Sequence, residues 1–96
     1  MMIKTERKRL TYESEVIDQR CISVNDIDGR KLELKYVLHA IKLPEIVYVI
    51  SVCSNSDFAA ECLGRDKNKA VYIFDAISRN EVTPISLSDI LRDMLI

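Results

Sequence analysis

Glycine, proline, histidine and tryptophan are rare or missing in this sequence of 96 residues, which contains two glycines, two prolines, one histidine and no tryptophan. The glycines, Gly29 and Gly64, are far apart, so the glycine-rich loops of P-loop and dinucleotide-binding proteins are excluded. His39 is the only candidate for a histidine acid or base, and nothing in the spacing brings a cysteine nucleophile beside it. We therefore expect a protein that is not an enzyme.

Cysteine is also scarce, and its three residues show no pairing pattern. Three thiols cannot all pair within one chain, and three are few for a secreted disulfide scaffold. We therefore expect reduced thiols and a cytoplasmic protein. The sequence has no Cys-x-x-Cys pair of the kind that binds zinc, so we expect neither a metal site nor a cofactor from the scattered candidates Cys21, Cys53, Cys62 and His39.

Long apolar runs and a strong net charge are absent as well. No run approaches the roughly 18 residues needed to cross a bilayer, so we expect no membrane insertion. Fourteen basic and fifteen acidic residues give a net charge of −1, and such a chain has no overall field that attracts nucleic acid or anionic lipid. With 48% hydrophobic residues, the chain is expected to form a single domain over 1–96, with a flexible basic tail over 1–8.

What the sequence does contain is the alternation typical of β-strands. Apolar and polar residues alternate most clearly over 32–40, which predicts a strand with one buried face. The run 46–53 is nearly continuous in β-branched residues, as in a central strand that is buried on both faces. Asp28 and Gly29 predict a hairpin turn. Further strands are predicted over 10–17, 20–24 and 70–77, with 82–85 extended.

Two helices are predicted. The polar residues 54–57 offer N-caps and Gly64 offers a C-cap, which favours a short helix near 56–63. Apolar residues at i, i+3, i+4 and i+7 spacing predict a C-terminal amphipathic helix over 87–95. Together these elements predict a mainly β fold of the α+β class, a small five-stranded SH3-like or Sm-like curled sheet or barrel. The competing layout is an open sheet with one covering helix.

Four short stretches between Cys21 and Ile77 follow one another in a familiar order. They are a strand with an Asp-x-Asp-Gly turn at 22–29, an extended segment at 35–39, Val-Tyr-Val at 47–49 and Phe-Asp-Ala-Ile at 74–77. This order resembles the WYL domain, a small β-barrel often found as the sensing part of bacterial transcriptional regulators. The resemblance implies a ligand-facing barrel surface, with Lys35, Tyr48 and Lys69 as the residues carried over.

The chain departs from the WYL pattern at five positions. Val47 stands in place of the usual tryptophan, Val49 in place of leucine and His39 in place of proline. Ala70 and Ala76 stand where arginines are usual, and those arginines belong to the family's basic ligand-facing surface. The sequence also lacks the helix-turn-helix that such regulators carry.

Basic residues with tyrosines between them provide the first functional hypothesis. Cations can hold a phosphate backbone while aromatic rings stack on bases. We therefore predict a non-enzymatic regulatory binding module that docks nucleic acid or a protein partner through its barrel face and basic loops. The predicted binding residues are Lys35, Tyr36, Tyr48, Arg65, Lys67 and Lys69.

The alternative hypothesis is a small protein–protein inhibitor or immunity-type protein of bacterial or phage origin. Such a protein would recognise its target through an acidic face or an exposed strand edge. A homodimer is compatible with both hypotheses, because the C-terminal helix and the strand edges are association surfaces. The candidate acidic residues are Glu13, Glu15, Asp18, Asp26 and Asp28.

Overall fold

The structure, a computed structural model, describes residues 13–25, 28–42 and 44–95. It has α+β architecture, with a four-stranded antiparallel sheet followed by two helices. The strands pair in chain order as a meander. The predicted basic tail over 1–8 lies outside the described residues. The elements are β1 (Glu13–Asn25), β2 (Lys31–Lys42), β3 (Ile46–Cys53), β4 (Phe58–Gly64), α1 (Lys67–Arg79) and α2 (Pro84–Leu95).

The first hairpin joins the two longest strands. The predicted turn at Asp28 and Gly29 is confirmed, because Gly29 adopts a φ of +80° between β1 and β2, a conformation that glycine adopts without steric cost. The predicted strands over 10–17 and 20–24 are one strand where they are described. β1 pairs with β2 on both sides of a register shift between Val16 and Asp18, so the gap between the two predicted strands is a local irregularity within one strand.

The core lies between the sheet and the two helices. Residues of even number in β2 point to the helices, as the alternation over 32–40 predicts, and Leu34, Tyr36 and Leu38 are almost completely buried. Ile50 and Val52 of β3 lie beside them and are fully buried as well. The helices contact mainly β2, β3 and β4. Neither of these helices has the length and hydrophobicity that crossing a membrane requires.

The predicted strand over 70–77 is wrong, because these residues form most of helix α1. The β-branched and aromatic composition favours a strand, but the buried positions follow helical spacing. Asp66 caps the helix, and its side chain accepts a hydrogen bond from the backbone N–H of Lys69 at 3.1 Å. Packing of one apolar stripe against the sheet therefore outweighs local strand propensity; the stripe consists of Ala70, Ile73, Phe74 and Ile77.

The predicted helix near 56–63 is also wrong, since 58–64 form strand β4. Ser54 makes the turn that replaces the expected N-cap. Its hydroxyl accepts backbone N–H groups from Ser56 and Asp57, and its own N–H donates to the Asp57 carbonyl at 2.8 Å. Such Ser/Asn/Asp clusters form turns as readily as helix caps. β4 then pairs with β3 and places Leu63 in the core.

In the part of the chain that the structure describes, the sheet has four strands and is open, so it contains neither the predicted fifth strand nor a closed barrel. The competing open layout is the better description, with two helices on one face instead of one. The C-terminal helix predicted over 87–95 is confirmed, but it begins earlier, at Pro84. Proline is common in the first turn of a helix because its missing N–H has no partner there, and this corrects the extended conformation predicted for 84–85.

Two side chains, through three hydrogen bonds, fix the helical layer to the strands. The Tyr36 hydroxyl donates to the Val82 carbonyl at 2.9 Å, which ties β2 to the turn between α1 and α2. Burial, with a smaller effect of the Glu81 charge, raises the pKa of Tyr36 to about 12. From β1, Arg20 donates to Asp75 and to Ser78, each at 2.8 Å.

Candidate functional site

The two predicted tyrosines lie in the core. Tyr36 is 0% exposed and Tyr48 is 8% exposed, and both pack among the residues between sheet and helices. Their rings are therefore covered on the helix side of the sheet. They do not provide stacking planes for the bases of a nucleic acid, as the sequence hypothesis requires.

The four predicted cations are exposed but lie in two separate places. Lys35 is on the face of the sheet away from the helices, in a cross-strand row with Cys53 and Phe58. The other three follow the far end of β4, which is six residues and about 20 Å from Phe58 along the strand. One of the three is engaged in an ion pair with Glu45. This second group is Arg65, Lys67 and Lys69.

The sheet has one face that no described element covers. On β2 the odd-numbered residues from Lys35 to Ile41 point to this side, and on β3 so do Val49, Ser51 and Cys53. We call this surface the open face. It differs from an ordinary solvated sheet surface, because strands with one wet face normally carry polar residues there.

A trough runs along the middle of the open face. Its volume is about 500 Å³, which is within the range of binding sites in proteins. Val37 and Ser51 form its floor and are only 9% and 7% exposed, although no described element lies above them. The lining residues are Ser14, Lys35, Val37, His39, Ile41, Val49, Ser51, Cys53, Phe58 and Ala60.

Phe58 is the most prominent apolar group of the trough. Its side chain belongs to the first residue of β4, and it is 68% exposed. Aromatic side chains of this kind often provide much of the free energy of protein binding. The floor also carries one polar pair, because the His39 Nε2 and Ser51 Oγ atoms are 3.4 Å apart.

Among the described residues that line the trough, Lys35 is the only one with a permanent charge. Within the described part of the chain its ammonium group forms no ion pair. Glu33 lies two residues away on the same side of β2 and accepts a hydrogen bond from Ser23 at 3.4 Å. As far as the structure describes the chain, the trough therefore has a cation at one end and no carboxylate in its lining.

The three cysteines all lie on the open face, and all are exposed free thiols. Cys21 and Cys53 are in register with Lys35 from opposite sides, so a whole strand separates them, a distance of about 10 Å. This is too far for a disulfide bond. Among residues 13–25, 28–42 and 44–95, no group of three or more His, Cys, Asp or Glu side chains could hold a metal ion.

The acidic candidates lie mainly on the outer strand. Glu13, Glu15 and Asp18 are exposed on β1, which is an edge of the sheet. The Asp18 Oδ2 atom is 3.7 Å from the Arg20 Nη2 atom. Asp28 is exposed at the hairpin turn. Asp26 lies outside the described residues. None of the described acidic residues lines the trough, to which β1 contributes Ser14, so they form a second surface.

The trough residues Val37, Val49 and Phe58 were missed by the functional hypotheses from sequence. One signal for them was present in the prediction that 46–53 is apolar enough to be buried on both faces. The helices cover only one of those faces. The apolar residues on the other face of β3 therefore indicate an exposed apolar surface.

Comparison with known protein families assigns this chain to one of them. Residues 13–96 match the model of a family of unknown function, DUF6514. The chain belongs to that family. No curated protein and no solved structure matches it. Because the DUF6514 match runs from the first residue of β1 through α2, it includes the whole sheet, both helices and the open face.

Proposed function

We propose that this DUF6514 protein is a non-enzymatic regulatory binding module that docks an apolar segment of another protein on its open face. The observation that carries the proposal is the apolar trough over the two inner strands, whose floor is nearly inaccessible to solvent although no described element covers it. Three exposed free thiols support a cytoplasmic setting for this binding.

The physical basis is the hydrophobic effect. Removing apolar surface from water contributes about 25 cal/mol per Å², and contiguous exposed apolar patches on proteins usually mark interaction sites. The other face of the same strands is covered by two amphipathic helices. A partner segment with an apolar stripe would do the same for the open face.

Nucleic acid is the less favoured partner. Tyr36 and Tyr48 are buried, and Lys35 is distant from the cations that follow β4. Ligand binding of the WYL kind has the same difficulty, because it would use Lys35, Tyr48 and Lys69 together. Single-stranded nucleic acids require a continuous basic groove with accessible rings, and the trough offers one cation and one exposed ring.

The experiment compares Phe58→Ala with Tyr72→Ala in affinity capture. The two aromatic side chains are exposed to nearly the same extent, 68% and 66%, but Tyr72 lies on α1 on the other side of the molecule. The full-length protein is immobilised and incubated with a lysate of its source organism. We expect a discrete protein that the wild type and Tyr72→Ala retain and that Phe58→Ala loses, and this protein is then identified, purified and tested for direct binding.

Each result has a clear meaning. Both substitutions remove exposed rings and should leave the unfolding curve nearly unchanged, which circular dichroism during denaturation checks. Equal retention by both variants would show that binding does not use the open face. Loss of retention only in Tyr72→Ala would move the site to the helical side, and a retained nucleic acid would restore the competing hypothesis.

A second candidate function is the inhibitor or immunity-type protein. It is favoured by the exposed acidic residues Glu13 and Glu15 on β1, an outer strand of 13 residues. Edge strands and charged surfaces are common means of recognising a target. If this function is correct, the double substitution Glu13→Lys with Glu15→Lys abolishes capture and Phe58→Ala does not.

A further inference from the structure

We infer that the occupant of the open face is an acidic amphipathic helix of three to four turns, with a carboxylate placed beside Lys35. This inference rests on the proposed function, because it specifies the chemistry of the partner at the same trough. It is carried by the dimensions of the trough and by the distribution of charge around it.

The trough has the width and length of one helix. It follows the two inner strands, and the flanking strands β1 and β4 lie three strand spacings apart, which is about 14 Å. This separation accommodates a helix, whose diameter with side chains is roughly 10–12 Å. From Lys35 to Ile41 the trough extends over six residues of β2, about 20 Å. This length equals about 13 residues of helix, the same number that α1 places on the opposite face.

The concave shape disfavours a second copy of the same chain. Two copies that pack open face to open face would place one trough opposite the other, and the two floors formed by Val37 and Ser51 would not touch. Unfilled space of this kind forfeits the dispersion contacts that stabilise an interface. A convex partner fills the trough, and a helix is the convex element that protein chains provide.

The requirement for acid comes from the burial of Lys35. An apolar segment that covers the trough removes water from the Lys35 side chain, and its charged group then needs a new partner. Among residues 13–25, 28–42 and 44–95, no carboxylate lines the trough and none forms an ion pair with this lysine. The occupant must therefore bring the carboxylate.

The test uses two synthetic helical peptides of 14 residues with the same apolar stripe. One carries glutamates beside the stripe and the other carries lysines. Binding to the full-length protein is followed by fluorescence anisotropy at low salt. We expect the acidic peptide to bind about fivefold more tightly than the basic one, the effect of one partly exposed ion pair. The overall charge of −1 on the protein opposes this preference, so it must come from a local basic site.

Two charge-reversal variants show which lysine is responsible for the preference for the acidic peptide. Lys35→Glu should reverse it in favour of the basic peptide. The matched control Lys69→Glu changes the net charge equally at an exposed lysine on α1 and should leave the acidic peptide favoured. Phe58→Ala should weaken the binding of both peptides to the same extent.

Three results would overturn the inference. They are equal binding of the two peptides to the wild type, equal effects of Lys35→Glu and Lys69→Glu, and absence of binding by either peptide. These results are separate from failure of the proposed function. If capture in the lysate still depends on Phe58 but neither peptide binds, the face docks a partner that is not a helix; if capture does not depend on Phe58, the proposed function fails first.

Discussion

The two faces of the sheet are formed by the same strands but have different surroundings. On the helix-covered face, Tyr36, Leu38 and Val52 are completely buried under α1 and α2. On the open face, the neighbouring residues Val37 and Val49 line a trough that no described element covers. Stability of the isolated chain should therefore depend on the first face, and binding on the second. Under the proposed function, apolar residues in one sheet thus serve two purposes, folding and binding.

Matched valine substitutions should give the largest contrast between the faces. Val52→Ala removes two methyl groups from a site with 0% exposure and should lower the free energy of unfolding by about 2 kcal/mol, since a cavity remains. Val49→Ala on the open face should lower it by less than about 1 kcal/mol. Urea denaturation of both variants measures the contrast, and equal losses would mean that the open face is part of the folding core.

Tyr36→Phe should give the next largest loss of unfolding free energy on the covered face. It leaves the buried Val82 carbonyl without its 2.9 Å hydrogen bond, which should cost about 1–2 kcal/mol of unfolding free energy. Because the folded pKa of Tyr36 is raised to about 12, above the usual value of about 10, wild-type stability should fall as the pH rises from 10 to 12. Denaturation at several alkaline pH values should show a shallower decline in the variant; identical slopes would contradict this assignment.

Arg20→Ala, at the edge of the covered face, should lower the free energy of unfolding by on the order of 1 kcal/mol. The guanidinium hydrogen-bonds to Asp75 and Ser78 and lies 5.2 Å from the centre of the Phe74 ring, but it is partly exposed, which limits its effect. The hydrogen bond from Arg20 also lowers the pKa of Asp75. The contribution of this pair should therefore be lost as the pH falls below about 4. Acid titrations of wild type and variant measure it, and identical acid transitions would exclude the pair as a contributor.

Glu81→Gly should produce the smallest change, and in the stabilising direction. Glu81 follows α1 with a φ of +55°, a left-handed conformation in which glycine is usual after a helix and other residues pay roughly 1 kcal/mol. The substitution should raise the free energy of unfolding by about 0.5–1 kcal/mol. A melting temperature equal to or below that of the wild type would show that the Glu81 side chain makes a compensating contribution.

The sequence is sufficient to predict the first half of the fold. Alternation over 32–40, the turn at Gly29 and the β-branched run of β3 depend on local patterns, and the structure confirms them. Residues 56–79 are misread because their local preferences are opposed by packing. Ala70, Ile73 and Phe74 have strand-like neighbours but the spacing of a helix, and only the contact with the sheet decides between the two.

The candidate site is less predictable, because it depends on which face remains uncovered. The alternation of residues places Lys35 opposite Tyr36, so the two predicted binding residues lie on different faces of one strand. Phe58 was assigned to a helix. Its place beside Cys53 and Lys35 follows only from the pairing of β3 with β4 and with β2. Lys35 and Phe58 are far apart in the sequence, and no short segment encodes their proximity.

The central claim is that the open face is the binding surface, and site-specific photocrosslinking in the cells of the source organism tests it most directly. A benzophenone side chain is placed at Ala60, in the trough lining, or at Ser88, an exposed position of α2. The account predicts a discrete adduct with another protein from position 60, its loss on adding Phe58→Ala, and none from position 88. Adducts from position 88 alone, or an adduct from position 60 with the mass of two copies of this chain, would contradict it.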